Sequence, residues 1–388
     1  ASNYICQIVT HAETIPYSFM KLIAQIARII VGVIFIFSGF VKVVDPVGTG
    51  IKLEEYFEVF SQDIPALESF FMFFAHNSLT LSLIFCALEV ILGVATLLSY
   101  RMKITSWLLL GIIVFFTFLT FYSAYFNKVT DCGCFGDFLK LKPWTSFYKD
   151  IFLTVLIVVI FVYRNKYKDS NLHALMAIVS VISFGIGIYA IRYLPPIDFL
   201  PYAIGKSIPD QMKPTGIKPI FEYTFLNKKT GSEEKSSEFL MDTTTYKYVS
   251  SITLNDDKVK PKITDYFVND AQGNVYTDST FMGNKLLLIF KSIKDIDSDQ
   301  IAEIKALAKS VQGSNIQPII LTSAIQSEFE QFRQTNALTT PYFTADATVL
   351  KTMARTNPCV ILLQNGVVKG KWGNHSIPDK ATLVAELK

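Results

Sequence analysis

The feature that most constrains this chain is a series of five long apolar segments in its first half. About 20 mostly apolar residues cross the hydrocarbon core of a bilayer as a helix, because each residue of a helix rises about 1.5 Å. The segments are 22–44, 79–99, 104–126, 144–163 and 172–191. With 51% of the 388 residues hydrophobic, the composition is that of a membrane protein with a soluble part attached. The first segment is expected to be a retained span, since no signal-peptide cleavage pattern follows it.

Charged residues inside these segments are few. Glu89 is the only charge in the second segment, and Lys42 and Arg28 lie in the first. A charge in the middle of a bilayer costs about 3 kcal/mol on insertion scales, so Glu89 is expected to be paired or functional. Lys42 and Arg28 are its candidate partners. Lys149 and Asp150 are expected near the mouth of the fourth span.

The loop 130–137, between the third and fourth segments, contains Cys132-Gly133-Cys134. Two sulfurs that meet across so small a ring form a strained bond that is easily reduced, which suits disulfide exchange. A structural disulfide that fixes the loop is the other main interpretation, and the residues alone leave both open. A metal site is the weaker interpretation, because the four histidines are scattered and no second Cys or His pair has ligand spacing.

The Lys and Arg residues of the short loops predict the orientation, since they favour the cytoplasmic side. One side has the seven residues Lys21, Arg28, Arg101, Lys103, Arg164, Lys166 and Lys168, and the other has the five residues Lys52, Lys128, Lys140, Lys142 and Lys149. This places the N-terminus in the cytoplasm of a bacterium. Both the cysteine loop and the C-terminal region are then periplasmic, where disulfides persist.

Composition changes after Pro195. Residues 197–265 alternate as β-strands do, and from 266 onward the predicted elements follow the β-α-β, α-β-β-α order of a thioredoxin-like fold. The predicted strands are 285–290, 316–321, 359–363 and 367–372, and the predicted helices are 298–311, 326–334, 347–355 and one from about 378.

The membrane half resembles the DoxX and MauE group of small membrane proteins. The matching motifs are Ser-Gly-Phe-Val-Lys at 38–42 with Asp-Pro at 45–46, Leu-Glu at 88–89, and Asp-Cys-Gly-Cys-Phe-Gly at 131–136. The resemblance implies a four-helix membrane bundle. It also implies a role in disulfide formation of exported proteins, as for MauE, or in quinone-linked sulfur oxidation, as for DoxX.

The C-terminal part resembles membrane-anchored redoxins and thiol-disulfide reductases. In that family an apolar strand leads into a Cys-x-x-Cys motif, whereas here the strand 286–290 leads to Asp295 and Ser298 at about the two cysteine positions. Asn357-Pro358-Cys359 fits the cis-proline loop that faces the motif. It would place the Cys359 thiol beside the vacant site, although a lone cysteine at the start of a strand is usually a small buried apolar residue.

The combined prediction is an α-helical membrane bundle, a four-helix core plus a fifth transmembrane helix, followed by a soluble α/β thioredoxin-like domain. Its parts are a cytoplasmic segment at 1–21, the bundle at 22–165, the fifth transmembrane helix at 172–194, a β-rich periplasmic region at 197–265 and the thioredoxin-like domain at 266–388.

Three functions fit this organisation. The first is thiol-disulfide exchange on exported proteins by Cys132 and Cys134, with Glu89, Lys42 and Cys359 as accessory residues. The second is a non-catalytic assembly subunit of a cell-envelope complex, and the third is a quinone-linked oxidoreductase component. The expected partners are the lipid bilayer and an exported or envelope protein. The nearly balanced charge, 36 basic against 33 acidic residues, argues against nucleic acid.

Overall fold

The computed structural model describes residues 17–129, 133, 135–139, 141–294 and 296–388. The chain divides into two compact units, residues 1–200 and 201–388. In the described residues, the first unit is built from helices and the second contains all nine strands of the two sheets.

The first unit contains seven α-helices in its described part. They are α1 (Tyr17–Val44), α2 (Pro46–Asp63), α3 (Glu68–His76), α4 (Ser78–Leu97), α5 (Met102–Phe126), α6 (Pro143–Tyr163) and α7 (His173–Arg192). Of these, α1, α4, α5, α6 and α7 are long and apolar enough to cross a membrane. The prediction of five apolar spans is therefore confirmed, with small changes at their ends.

Helices α1 and α4 approach each other closely because glycines lie where they cross. A methyl group added at Gly39 would lie 2.7 Å from the backbone nitrogen of Val90, and one at Gly93 would lie 2.7 Å from the backbone nitrogen of Ile36. At Gly32 the same group would lie 3.1 Å from the Gly93 carbonyl oxygen. Small residues at such crossings let two backbones pack directly, as is common in membrane helices.

Helix α2 packs against the bundle through its aromatic side. Tyr56, Phe57 and Phe60 are buried in one cluster with Leu119 and Tyr122 of α5. The rings of Phe60 and Tyr122 meet edge to face with centroids 4.7 Å apart. This packing brings α2 beside the C-terminal end of α5, where the cysteine loop begins.

The second unit contains nine strands and six short helices in its described part. The strands are β1 (Phe221–Asn227), β2 (Glu233–Ser236), β3 (Tyr246–Thr253), β4 (Val268–Asn269), β5 (Asn284–Phe290), β6 (Ile316–Thr322), β7 (Tyr342–Ala345), β8 (Cys359–Gln364) and β9 (Val367–Gly373). The helices are α8 (Ile208–Met212), α9 (Asp256–Val259), α10 (Ser298–Ser310), α11 (Gln326–Thr335), α12 (Ala347–Met353) and α13 (Lys380–Glu386).

Six strands form one mixed sheet in the order β4-β7-β6-β5-β8-β9. Strands β5, β6 and β7 are parallel, whereas β8 and β9 are antiparallel to their neighbours. Leu287 and Ile289 of β5 enter the core on one face of the sheet, and Leu288 and Phe290 enter the core on the other. A strand covered on both faces is typically a nearly continuous apolar run, which explains the apolar residues from Leu286 to Phe290 of β5. This arrangement confirms the predicted thioredoxin-like α/β fold.

The other three strands form a separate antiparallel sheet in the order β2-β1-β3. Sequence analysis predicted β-structure at 197–265, where this sheet lies. It did not predict the strands β7 and β4 of the six-stranded sheet. Both are short, with four and two residues, so neither has enough alternating positions to produce a clear signal.

Candidate functional site

A buried ion pair connects the first two spans. Lys42 Nζ of α1 lies 2.5 Å from Glu89 Oε1 of α4, and Ser38 Oγ donates a hydrogen bond of 2.9 Å to Glu89 Oε2. The ammonium group of Lys42 also lies 4.6 Å from the ring centroid of Phe116. Of the two candidate partners of Glu89, Lys42 is the one that contacts it. Arg28 instead donates a hydrogen bond to Ser99 Oγ at another level of the bundle.

A second ion pair lies on α6 and joins the partly exposed Lys149 to the buried Asp150. Lys149 Nζ is 2.9 Å from Asp150 Oδ1, and Thr120 Oγ1 of α5 donates a hydrogen bond of 3.0 Å to Asp150 Oδ2. Sequence analysis expected Lys149 and Asp150 near the mouth of the fourth span; the Asp150 side chain is only 1% exposed. Proline is favoured in the first turn of a helix, and the start of α6 at Pro143 puts Asp150 two turns inside it.

Both ion pairs line one cavity of about 40 Å³. A buried water needs roughly 10–15 Å³ of such space and two to four polar partners. The cavity therefore has room and polar partners for one to three waters. Its polar lining residues include Ser38, Lys42, Lys52, Glu89, Thr120, Lys149 and Asp150.

The cavity is smaller than a quinone head group. An apolar cavity of roughly 150 Å³ is what accommodates a single benzene ring in a protein interior. At about 40 Å³, the space between the two ion pairs does not fit the ring of a quinone. We therefore derive no chemical step through a quinone at this site.

One described residue of the cysteine loop borders this cavity. Gly133, the residue between the two cysteines, lines the cavity and has a φ of +62°. A methyl group added at Gly133 would lie 3.3 Å from Cγ of Lys52 on α2. Phe135 makes a cation–π contact with Lys149, whose Nζ lies over the ring at 5.0 Å from its centroid. The predicted redox residues Cys132 and Cys134 themselves lie outside the described residues.

The start of the loop is tied to the end of α2. Asp63 accepts hydrogen bonds from Lys128 Nζ and from the Tyr122 hydroxyl group. The hydrogen bond from Lys128 has the largest effect and that from Tyr122 the next largest. Together they hold the pKa of the Asp63 carboxyl below its usual value. They link α2 to the C-terminal end of α5, two residues before the loop.

Cys359 lies inside the second unit, away from its surface. Its side chain is fully buried in the core of the sheet, where the residue pairs with Ile289 of β5. The preceding Asn357–Pro358 peptide bond is cis, as the sequence predicted. The Asn357 side chain accepts a hydrogen bond from the Lys291 backbone nitrogen and donates one to the Ser292 carbonyl. The cis-proline loop therefore does face the segment after β5, and the Cys359 side chain lies in the core of the sheet rather than at the surface.

The family model of the methylamine utilisation protein MauE matches residues 20–163. This segment is a MauE-family domain. The match covers α1 to α6 and so includes both ion pairs, the cavity and the cysteine loop. No curated protein matches the chain. Among solved structures, the crystal structure of Arabidopsis thaliana ScoI with copper bound is 14% identical with a TM-score of 0.25, and the match covers 32% of this chain and 96% of that chain.

Sequence reasoning found half of the charged site in the MauE-family domain. Glu89 and Lys42 were found because each is a rare charge within a clear span. The contact of Lys149 and Asp150 with this cavity was not predicted, because the fourth apolar segment is short and a charged beginning is typical of a membrane interface. In the described residues, no group of three or more His, Cys, Asp or Glu side chains is arranged to hold a metal ion.

Proposed function

We propose that the MauE-family domain carries out thiol-disulfide exchange on exported proteins, with Cys132 and Cys134 as the exchanging pair. The observation that carries the proposal is that Gly133, between the two cysteines, lines a cavity that is also lined by two ion pairs. A disulfide whose only role is to fix the loop does not need a charged site beside it. Ion pairs inside a membrane are costly and usually mark functional sites.

The charges around the loop support thiolate chemistry. Lys52 on α2 adjoins Gly133, and Lys149 on α6 adjoins Phe135, so two cations from different helices flank the described part of the loop. Nearby cations favour the thiolate form of a cysteine, which is the nucleophile in disulfide exchange. The thiolate forms an S–S bond with one sulfur of a client disulfide, whose other sulfur leaves as a thiolate. The second loop cysteine then displaces the client, so that the loop pair is oxidised and the client is reduced; the reverse sequence oxidises the client.

The proposed role of the thioredoxin-like domain is to bind the client or partner protein. It has no Cys-x-x-Cys motif, and its cysteine, Cys359, is buried in the core. These two observations also favour the second candidate function, a non-catalytic assembly subunit in which the Cys132–Cys134 pair is a structural disulfide. The two functions differ in whether the loop forms covalent intermediates with other proteins.

Single cysteine variants distinguish these functions. If the loop exchanges disulfides, either Cys132→Ser or Cys134→Ser should trap a mixed disulfide with a client, because the resolving thiol is missing. The measurement is a non-reducing gel of cell envelopes after acid quenching, in which a new band of higher mass disappears on reduction. Cys86→Ser, which removes the buried thiol of α4, is the matched control and should trap nothing.

A structural disulfide predicts a different result. Both loop variants would then be less stable to heat and would trap no adduct. That result, together with normal growth of a strain carrying both Ser substitutions, would eliminate the exchange function and leave the assembly role.

We further propose that the protein lies in the bacterial inner membrane with its N-terminus in the cytoplasm and its C-terminal domain in the periplasm. Ser250→Cys, at an exposed position of β3, should react with a membrane-impermeant maleimide in intact spheroplasts. Asn165→Cys, exposed between α6 and α7, should react only after lysis. The native Cys359 is too buried to report on orientation. Labelling of Asn165→Cys from outside would reverse the proposed topology.

A further inference from the structure

One side of helix α1 presents a continuous apolar stripe. Its members are spaced three or four residues apart, so they lie on one face of the helix, and each is at least 42% exposed. Because α1 is long and apolar enough to cross a membrane, this stripe is the side of the helix that meets lipid. The members of the stripe are Leu22, Ile26, Ile29, Val33, Phe37 and Phe40.

The described part of the cysteine loop packs on the C-terminal end of this stripe. The ring centroids of Phe135 and Phe138 lie 5.8 Å and 5.7 Å from that of Phe37. A methyl group added at Gly136 would lie 3.6 Å from Cγ1 of Val41 on the same helix. The loop therefore lies against the lipid-facing side of α1 as well as beside the cavity between the helices.

The contact with Phe37 lies below the end of the helix. Phe37 precedes Val44, the last residue of α1, by seven residues, which is about 10 Å along the helix axis. The 28 residues of α1 are about 42 Å long and the hydrocarbon core is about 30 Å thick, so an upright, centred α1 extends about 6 Å beyond the core at each end. Phe37 then lies about 4 Å inside the hydrocarbon boundary, with the two loop rings packed beside it.

Exposed apolar side chains continue from the loop onto α6. Phe138 and Leu139 of the loop are each 47% exposed. Trp144 and Tyr148, in the first turns of α6, are 46% and 65% exposed, and tryptophan and tyrosine are enriched where a span meets the lipid head groups. A loop with this surface is suited to the boundary between the head groups and the acyl chains, because water would leave a contiguous apolar patch exposed.

We propose that the clients of the loop are proteins of the same membrane whose cysteine pairs lie beside their own lipid anchor or transmembrane helix. This inference rests on the proposed exchange function. Gly133, between Cys132 and Cys134 in the sequence, is tied to the lipid-facing part of the loop, because its carbonyl oxygen accepts a hydrogen bond of 2.9 Å from the Gly136 backbone nitrogen. A client cysteine held at the bilayer surface reaches this loop by diffusion in the membrane, and confinement to the membrane raises its effective concentration.

The test is a single turnover of the full-length protein in liposomes of phosphatidylethanolamine and phosphatidylglycerol. The protein is first oxidised with a small-molecule disulfide, which is then removed. The Cys132–Cys134 disulfide takes two electrons and two protons from the two thiols of a peptide, whose sulfurs become joined in a disulfide. Three peptides with the same thiol pair are compared. One has no lipid, one has a palmitoyl chain beside the thiols, and one has a long polar spacer between the palmitoyl chain and the thiols.

The peptide with thiols beside its palmitoyl chain should be oxidised at least about tenfold faster than the spacer peptide, although both are held on the membrane. Phe138→Ser should lower this ratio of rates, because it removes an exposed ring from the lipid-facing part of the loop. Phe19→Ser is the matched control. It removes a ring that is 51% exposed at the other end of α1, and it should leave the ratio unchanged.

The failure of this inference differs from the failure of the exchange function. Oxidation of the two palmitoylated peptides at equal rates would overturn the inference and leave the exchange function standing. A ratio of rates that is the same in Phe138→Ser as in the wild type would also overturn it. If none of the three peptides is oxidised, the exchange function itself fails, and the inference fails with it.

Discussion

Glu89→Gln is expected to destabilise the membrane unit by about 3 kcal/mol. The substitution leaves the Lys42 ammonium group buried between α1 and α4 without its counter-ion, and breaking one side of a buried ion pair typically costs about 3–5 kcal/mol. We take the lower end because Gln keeps the shape of Glu and can still accept a hydrogen bond from Ser38. The measurement is the thermal unfolding of the purified protein in detergent.

Two further variants test whether the loss of stability comes from the ion pair. Glu58→Gln, at an exposed position of α2, removes a carboxylate without disturbing a buried partner and should leave the unfolding temperature unchanged. Replacing both Lys42 and Glu89 by Met should recover most of the lost stability, because apolar residues often substitute for a buried ion pair. Equal effects of Glu89→Gln and Glu58→Gln would show that the pair contributes little.

Gly39→Ala should destabilise the same unit by about 1–3 kcal/mol, the usual cost of overpacking. The added methyl group would lie 2.7 Å from the Val90 backbone nitrogen and 2.8 Å from Cβ of Glu89. Backbone atoms cannot turn away as a flexible side chain can, so α1 and α4 must separate. This also moves Lys42 away from Glu89.

Gly111→Ala on α5 is the matched control, because nothing lies within 4 Å of the added methyl group. The same change there should be neutral or slightly stabilising, since Ala favours the helix over Gly by about 1 kcal/mol. Thermal unfolding of the two variants in one detergent compares them directly. If Gly39→Ala were as stable as Gly111→Ala, the close crossing of α1 and α4 would not contribute to stability.

Much of the fold could be predicted because its signals are local. The five spans are long apolar runs, and β5 is apolar from Leu286 to Phe290 because both faces of the sheet are covered. Asn365-Gly366, between β8 and β9, is a pair typical of a two-residue hairpin turn, and the two residues adopt the positive φ angles of +49° and +78° that such a turn requires.

The candidate site was harder to predict because its parts meet only through tertiary packing. Nothing in the sequence near Asp150 indicates Thr120 on another helix, or that this pair shares a cavity with Glu89. The burial of Cys359 also depends on the surrounding sheet. Its sequence context fits a residue beside a redox motif equally well. The arrangement of Cys132 and Cys134 stays a prediction.

The placement of Lys42 and Glu89 on different spans has a consequence for biogenesis. The 33 residues of α2, α3 and their connections separate α1 from α4, so the two charges leave the ribosome at different times. Each span therefore enters the bilayer with an unpaired charge, at about 2.5–3.5 kcal/mol on translocon scales. Neither charge is neutralised until α1 and α4 meet at their glycines. Insertion of the first two spans is thus coupled to their association, because a chain that fails to form this helical hairpin keeps both charges in the bilayer without their partners.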